Sequence, residues 1–232
     1  MLLSALRQPV PLVSIFFDVK FHNIIRQQNF VRRGEISKYK VDKMFRLAYK
    51  LAFETKTKNK KWEDIFSLWY CSATCGHKRA QFYLATCYDH GYGTDKNIEL
   101  AYKWFLKAAK QGHLESQYNI GFFYANGELV KQDYKKAVYW FTLSASQGDT
   151  EAQRDLGYSY FYGQGLKKDE KKAVEWYKKA AAKNDNKALY NLGLCYKEGD
   201  GVKQSNRWAK HYFTKAFEYG HRKAKGQLKK LR

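Results

Sequence analysis

The residues of this sequence that are best suited to metal chemistry lie in one short stretch. Thiol and imidazole groups occur close together at Cys71, Cys75, His77, Cys87 and His90, and these are ligand types that Zn²⁺ binds in tetrahedral sites. Two of them also recur at long range, because His77 is matched by His113 and Cys87 by Cys195. We therefore interpret them as ordinary positions of a repeated element, and we predict no metal site and no cofactor.

Other sequence patterns that would indicate catalysis are either incomplete or absent. Paired glycines begin at Gly91, Gly163 and Gly199, but none continues as G-K-S/T, as a phosphate-binding loop requires. The sequence holds neither H-E-x-x-H nor G-x-S-x-G, the motifs that would supply a zinc site or an activated serine. We therefore predict that the protein is not an enzyme, with a hydrolase as the less favoured alternative.

The element that positions these residues is an internal repeat. Small residues recur every 36 positions (116 − 80 = 36), at Ala80, Ser116, Ala152, Ala188 and Ala224. Four, five and eight residues after each of the first four come Leu or Ile, then Ala or Gly, then Tyr. These positions share one helical face. Because Gly in mid-helix costs about 1 kcal/mol relative to Ala, its recurrence predicts that a partner helix approaches very closely there.

Each repeat is predicted to be a hairpin of two helices. The first helix ends at a residue that tolerates the left-handed conformation, at Gly91, Gly127, Gly163 and Gly199. The second begins after a good N-cap residue, at Asn97, Asp133, Asp169 and Ser205. It carries Ala101 and its equivalents, and then a large ring that we expect to fill the gap beside them, at Trp104, Trp140, Trp176 and Tyr212.

The stretch Ala152–Ala181 shows the whole pattern, A-x-x-x-L-G-x-x-Y-x-x-G-x-G followed by K-A-x-x-W-Y-x-K-A-A. This pattern resembles the Sel-1-like repeat, a branch of the tetratricopeptide repeat superfamily, over roughly Ala80 to His221. The resemblance implies an all-α fold, a right-handed α-solenoid of stacked helix-turn-helix repeats. It also implies an adaptor, scaffold or assembly role, in which a partner protein or peptide is bound on the concave face.

The chain divides into four predicted segments. Residues 1–40 do not match the repeat and form an irregular arm, a capping segment or an Arg-rich targeting leader. Residues 41–79 resemble a degenerate first repeat, which is expected at the end of an array. Four repeats occupy residues 80–221. Residues 222–232 begin another first helix and then stop, so we expect a basic capping helix.

Charge and cysteine usage bear on partners and on the compartment. The formal net charge is +21, with basic residues concentrated near Lys60 and within residues 222–232, which favours an acidic protein partner or RNA. An RNA-bound or organelle assembly is therefore an alternative function.

No cysteine pair recurs at the repeat period, which favours a reducing compartment, cytoplasmic or alternatively mitochondrial, over a secreted disulfide-bonded protein. No run is long and apolar enough to span a membrane, and we expect a monomer or one subunit of a complex.

The predicted binding face lies on the first helices, opposite Leu84, Ala85 and Tyr88 and their equivalents. Exposed aromatic rings with polar neighbours are typical of protein-binding surfaces. The residues predicted to contact a partner are Tyr83, Asn119, Phe122, Phe123, Asp155, Tyr158, Tyr162 and Asn191. The same reasoning places Cys87, Ser159 and Cys195 on this outward face.

Overall fold

The computed structural model describes residues 37–56 and 60–231, and that part of the chain contains eleven α-helices and no strand. Of the predicted N-terminal segment, residues 1–36 lie outside the described residues. The helices are α1 (Lys38–Tyr49), α2 (Trp62–Thr74), α3 (Lys78–His90), α4 (Ile98–Lys110), α5 (Leu114–Asn126), α6 (Tyr134–Ser146), α7 (Thr150–Tyr162), α8 (Glu170–Ala181), α9 (Asn186–Glu198), α10 (Asn206–Glu218) and α11 (Ala224–Lys230). A π-helical turn, Lys50–Glu54, continues α1.

The helices form a linear array of hairpins. Each helix contacts the one before it and the one after it in the chain, and the most extensive contacts join α3 with α4, α5 with α6, α7 with α8 and α9 with α10. These four hairpins are the four repeats expected from the sequence. The prediction of an all-α solenoid is therefore confirmed.

Helix ends are fixed locally, as the sequence predicted. The side chains of Asn97, Asp133, Asp169 and Ser205 each accept a hydrogen bond from the backbone N–H three residues later, at 2.9, 3.0, 2.9 and 3.4 Å. The first helices end in the left-handed conformation at Gly91, Gly127, Gly163 and Gly199. These caps are therefore made within each hairpin.

In three of the four hairpins an aromatic ring of the second helix lies directly on a glycine of the first helix; in the hairpin α3–α4 this position is Ala85. A Cβ atom added at Gly157 would lie 2.8 Å from two ring carbons of Tyr177 and 3.2 Å from the carbonyl oxygen of Ala173. Gly121 has the same relation to Phe141 and to the carbonyl oxygen of Ala137, and Gly193 lies against the Phe213 ring. The predicted close approach is therefore confirmed at all three glycines.

The ring that fills the hairpin is not the one expected from the sequence. Trp140 and Trp176 are half-buried and pack against the core of the preceding hairpin. The buried ring is the residue after the tryptophan position, at Phe105, Phe141, Tyr177 and Phe213. Successive residues of an α-helix point in directions about 100° apart. The tryptophan position therefore faces the preceding hairpin, whereas the next residue faces the first helix of its own hairpin.

Buried glutamines join successive hairpins. Gln81 Nε2 donates to the carbonyl oxygen of Ala73 at 3.2 Å, and Gln81 Oε1 accepts from Gln111 at 2.7 Å. Gln117 repeats this arrangement with Ala109 and Gln147. Gln153 also donates to Ala145, but its buried Oε1 has no hydrogen-bond partner. Lys183 stands where the next glutamine would be, and its ammonium group bonds instead to the carbonyl oxygen of Gly148.

Both ends of the array are closed by the chain itself. In the hairpin α1–α2, Trp69 is 2% exposed and packs with Phe45 and Leu84. At the other end, Ala224 of α11 is fully buried against Leu189 and Phe213. The terminal elements therefore cover the core faces that the first and last repeats would otherwise expose to water.

The glycine contact gives a first testable prediction. Gly157→Ala should destabilise the protein by about 1 to 3 kcal/mol, because the added methyl group overpacks the buried Tyr177 ring. Gly226→Ala in α11 is the matched control, since a Cβ there meets nothing within 4 Å and Ala favours a helix by about 1 kcal/mol over Gly. Urea denaturation followed by circular dichroism measures both changes. Equal effects of the two variants would contradict the overpacking explanation.

Candidate functional site

Three aromatic rings are exposed on the outward side of the first helices. Phe122 of α5 is 45% exposed, and Tyr158 and Tyr162 of α7 are 43% and 58% exposed. Phe122 and Tyr158 occupy equivalent positions of successive repeats, and the rings of Tyr158 and Tyr162 lie with their centroids 4.4 Å apart. We call Phe122, Tyr158 and Tyr162 the aromatic patch.

The aromatic patch is restricted to the two central repeats. The position of Phe122 and Tyr158 is occupied by Thr86 in α3 and by Leu194 in α9, and both of these are half-buried. Partial burial, with the neighbouring Tyr162 as a smaller cause, raises the pKa of the Tyr158 phenol. The hydroxyl is therefore protonated at neutral pH and can donate a hydrogen bond.

The prediction that Phe123 faces outward is wrong. Its side chain is 9% exposed and lies in the core with Phe105 and Ile120, with its ring edge-on to Tyr102 at 5.3 Å. The equivalent residues Cys87, Ser159 and Cys195 are buried as well. The physical reason is that α5 contacts both α4 and α6, so that the buried stripe of a first helix is wider than one hairpin requires.

The remaining predicted residues, Tyr83, Asn119, Asp155 and Asn191, share one repeat position and are all half-buried. This position lies at the joint between hairpins. The Tyr83 ring stacks on Trp69 of α2, with centroids 4.8 Å apart, and Asp155 accepts a hydrogen bond from the Tyr118 hydroxyl of α5 at 3.1 Å. Tyr83 and Asp155 are therefore partly committed to contacts within the fold. Asn119 and Asp155 precede Phe122 and Tyr158 by three residues, which places them on the same helical face as the aromatic patch.

Arg154 is the centre of an ionic network that the sequence did not reveal. Its Nε lies 2.7 Å from Asp155 Oδ1, and its Nη1 lies 3.2 Å from Asp185 Oδ2. Only 12% of the Arg154 side chain is exposed. The hydrogen bonds to Asp155 and the charges of Asp155 and Asp185 outweigh burial and raise the pKa of the guanidinium. Through these contacts Arg154 ties α7 to the N-terminus of α9.

The network is one version of a contact that recurs along the array. At two other joints the residue at the Arg154 position stacks on a histidine, Phe82 on His113 at 4.7 Å and Tyr190 on His221 at 4.1 Å. At the fourth, Tyr118 donates a hydrogen bond to Asp155. The opposite charges of Arg154 and Asp185 are the sequence signal that could have found the ionic pair.

The histidines at these joints are held neutral. Burial is the main cause that lowers the pKa of His77, His113 and His221. Asp42 lies 3.4 Å from His77 and Glu115 lies 3.3 Å from His113, and these carboxylates oppose the effect of burial without reversing it. The neutral Nδ1 of His77 accepts a hydrogen bond from the N–H of Ala80 at 3.1 Å.

The cysteines form no bond with one another. Cys75, Cys87 and Cys195 are free thiols, and burial raises the pKa of Cys87 and Cys195 to about 12. Within residues 37–56 and 60–231, no three His, Cys, Asp or Glu side chains come together in a way that could hold a metal ion. No helix in that part of the chain is both long and apolar enough to cross a membrane.

The geometry defines a class of protein: a helical-hairpin solenoid with an exposed aromatic patch. The Sel1 repeat family matches residues 78–113, 114–149, 150–185 and 186–221. The chain therefore belongs to the Sel1 repeat family, whose members are generally scaffolds for protein–protein interaction. Comparison with curated proteins finds no match to this sequence.

Solved structures show the same architecture. The Sel1 repeat protein from Oxalobacter formigenes is 26% identical over 93% of this chain and 84% of its own, with a TM-score of 0.75. A protective antigen of uropathogenic Escherichia coli with an SLR fold is 28% identical over 89% of this chain, also with a TM-score of 0.75. This chain covers 42% of that antigen's length. An immunity protein from Pseudomonas aeruginosa, 22% identical over 83% of this chain and 70% of its own, shares the fold with a TM-score of 0.51.

The ionic network gives a second prediction. Arg154→Met should destabilise the protein by about 3 kcal/mol, because two largely buried carboxylates lose their cation. The control is Lys172→Met, since its side chain is 57% exposed and its ammonium nitrogen lies 3.7 Å from Asp169 Oδ2, and such exposed pairs contribute less than about 1 kcal/mol. Urea denaturation measures both. A loss at Arg154 no larger than at Lys172 would show that the network adds nothing to stability.

The joint histidines give a third prediction. Because their pKa is lowered on folding, the unfolded chain binds more protons below its own histidine pKa of about 6.5, and stability should fall as the pH drops through that value. The urea midpoint should therefore be lower at pH 6 than at pH 7.5. His113→Asn should reduce this difference, whereas the exposed His211→Asn is the control. A midpoint that rises on acidification over this range would contradict the assignment.

Proposed function

We propose that this protein is a non-catalytic scaffold that binds a segment of a partner protein on the aromatic patch of α5 and α7. The observation that carries the proposal is the exposure of Phe122, Tyr158 and Tyr162 on one side of adjacent first helices. Elsewhere in the hairpins the ring positions that repeat are used for packing, as Tyr177 and Phe213 show. Rings that the fold itself leaves exposed are available to a partner.

The chemistry of the patch fits a polypeptide ligand. Phenylalanine and tyrosine supply large rigid surface, and aromatic residues carry much of the affinity in protein interfaces. Asn119 and Asp155 precede Phe122 and Tyr158 by three residues on the same helices and share their face. They add hydrogen-bonding groups that can meet the polar backbone of an extended or helical segment. A surface of this kind combines an apolar centre with a polar margin, as protein-binding sites do.

The rigidity of the hairpins supports the same proposal. Phe122 and Tyr158 project from helices whose opposite sides are fully buried, at Ile120, Leu156 and their neighbours. A partner therefore meets side chains whose backbone is already ordered, so that binding loses less conformational entropy than binding to a flexible loop would.

The test is to replace Phe122 and Tyr158 by alanine in the full-length chain. A photoreactive benzoylphenylalanine at position 158 first identifies the partner by cross-linking in the source cells. Each alanine substitution should then weaken binding by about 2 kcal/mol, or roughly 30-fold, without a large change in melting temperature, because these rings are exposed. Affinity is measured by biolayer interferometry.

Tyr139 provides the matched control, since it is 59% exposed but lies on the second helix α6. The Tyr139→Ala variant should bind the partner with unchanged affinity. A cross-linker at position 139 should form no link to the partner. Equal cross-linking at positions 139 and 158, or unchanged affinity in the Phe122 and Tyr158 variants, would refute the proposed site.

A further inference from the structure

The chain's charges are divided between its two faces. Together, α5, α7 and the cap residue Asp149 carry four carboxylates, Glu115, Asp149, Glu151 and Asp155, against the single cation Arg154. The second helices are rich in exposed lysine instead, as at Lys171, Lys172, Lys178 and Lys179 of α8. In a chain with a formal net charge of +21, the side that bears the aromatic patch is therefore locally acidic.

The acidic residues are in line with the aromatic patch. Along α7, Glu151, Asp155, Tyr158 and Tyr162 follow one another at spacings of 4, 3 and 4 residues, which places them on one helical face. Along α5, Glu115 and Phe122 occupy the same two positions as Glu151 and Tyr158. In the flanking repeats the position of Glu115 and Glu151 is basic, Arg79 in α3 and Lys187 in α9. The acidic and aromatic features thus coincide in the same two repeats and end together.

Two of these carboxylates, Glu115 and Glu151, form no ion pair with a Lys or Arg side chain of the described residues. The guanidinium of Arg154 already binds Asp155 and Asp185. Glu115 faces His113, whose pKa is lowered by burial, so that this imidazole is uncharged at neutral pH. Burial, followed by the like charge of Asp149, raises the pKa of Glu151. A cation brought by a partner would relieve this repulsion.

We propose, building on the scaffold function above, that the partner segment bound on this face is basic. It places Lys or Arg side chains beside Glu115 and Glu151 and apolar side chains against the aromatic patch. A cation is attracted by carboxylates and also by the faces of Tyr and Phe rings, so both features of the face select the same residue types. An acidic partner, which the total charge favours, would meet like charge here.

The lysines of the second helices do not cancel this preference. They project from the opposite layer of each hairpin, and one helix with its side chains is about 10 Å thick. The Debye length at physiological ionic strength is about 8 Å, so charges one helix layer away are largely screened. Contact with the nearby carboxylates decides which segment binds.

The experiment selects peptides from a random 12-residue display library on the immobilised full-length chain. Each selected peptide is tested on the variant Phe122→Ala/Tyr158→Ala, and the peptides that no longer bind are the ligands of this face. This comparison removes acidic peptides that were captured by the lysine-rich side. These ligands should be enriched in Lys and Arg over the unselected library. Fluorescence polarisation of the synthetic peptides should show that the variant Glu115→Gln/Glu151→Gln binds them about three- to tenfold more weakly than the parent does. This difference in affinity should be smaller at high salt.

The matched control is Glu99→Gln/Glu218→Gln, which removes two exposed carboxylates from second helices and should leave affinity unchanged. Ligands of the face that are rich in Asp and Glu, or that bind the Glu115/Glu151 variant as well as the parent, would overturn the basic-partner inference and leave the scaffold proposal standing. A library that yields no peptide dependent on Phe122 and Tyr158 would overturn both.

Discussion

The contact of an aromatic ring with a bare stretch of helix is the interaction on which the rest of this structure depends. The rings of Phe141, Tyr177 and Phe213 lie where the Cβ of any residue but glycine would overlap them. This allows the two helices of a hairpin to approach closely enough to bury a ring and a backbone together. Dense packing of this kind has few alternative arrangements, so these three hairpins share one geometry and stack in a regular way.

Regular stacking determines which surface remains for a partner. Each central first helix is contacted by the second helix of its own hairpin and by that of the hairpin before it. Two sides of the helix are therefore buried, which is why Phe123 enters the core while its neighbour Phe122 remains exposed. The outward stripe is narrow, and the character of the proposed binding face depends on a few side chains such as Phe122 and Tyr158.

The contacts between successive hairpins differ in chemistry, although the arrangement of the hairpins is the same. At one joint Phe82 stacks on His113, and at another Arg154 binds Asp185. Both contacts join a first helix to the N-cap residue of the next one, by ring stacking in the first case and by an ion pair in the second. The ionic version concentrates carboxylates near α7, and this local acidity distinguishes the central repeats from their basic surroundings.

The sequence by itself determined the parts of the fold that depend on local interactions. The N-caps such as Asp133, the left-handed glycines such as Gly163, and the small position at Gly157 are set by residues within one hairpin, and periodicity made them visible. The burial of Phe123 and the pairing of Arg154 with Asp185 were decided only by the tertiary structure. Both depend on a neighbouring hairpin whose angle of approach follows from packing in three dimensions. The periodicity of one helix indicates the side that packs within its own hairpin. It does not indicate the second side, which is buried only when the neighbouring hairpin stacks on it.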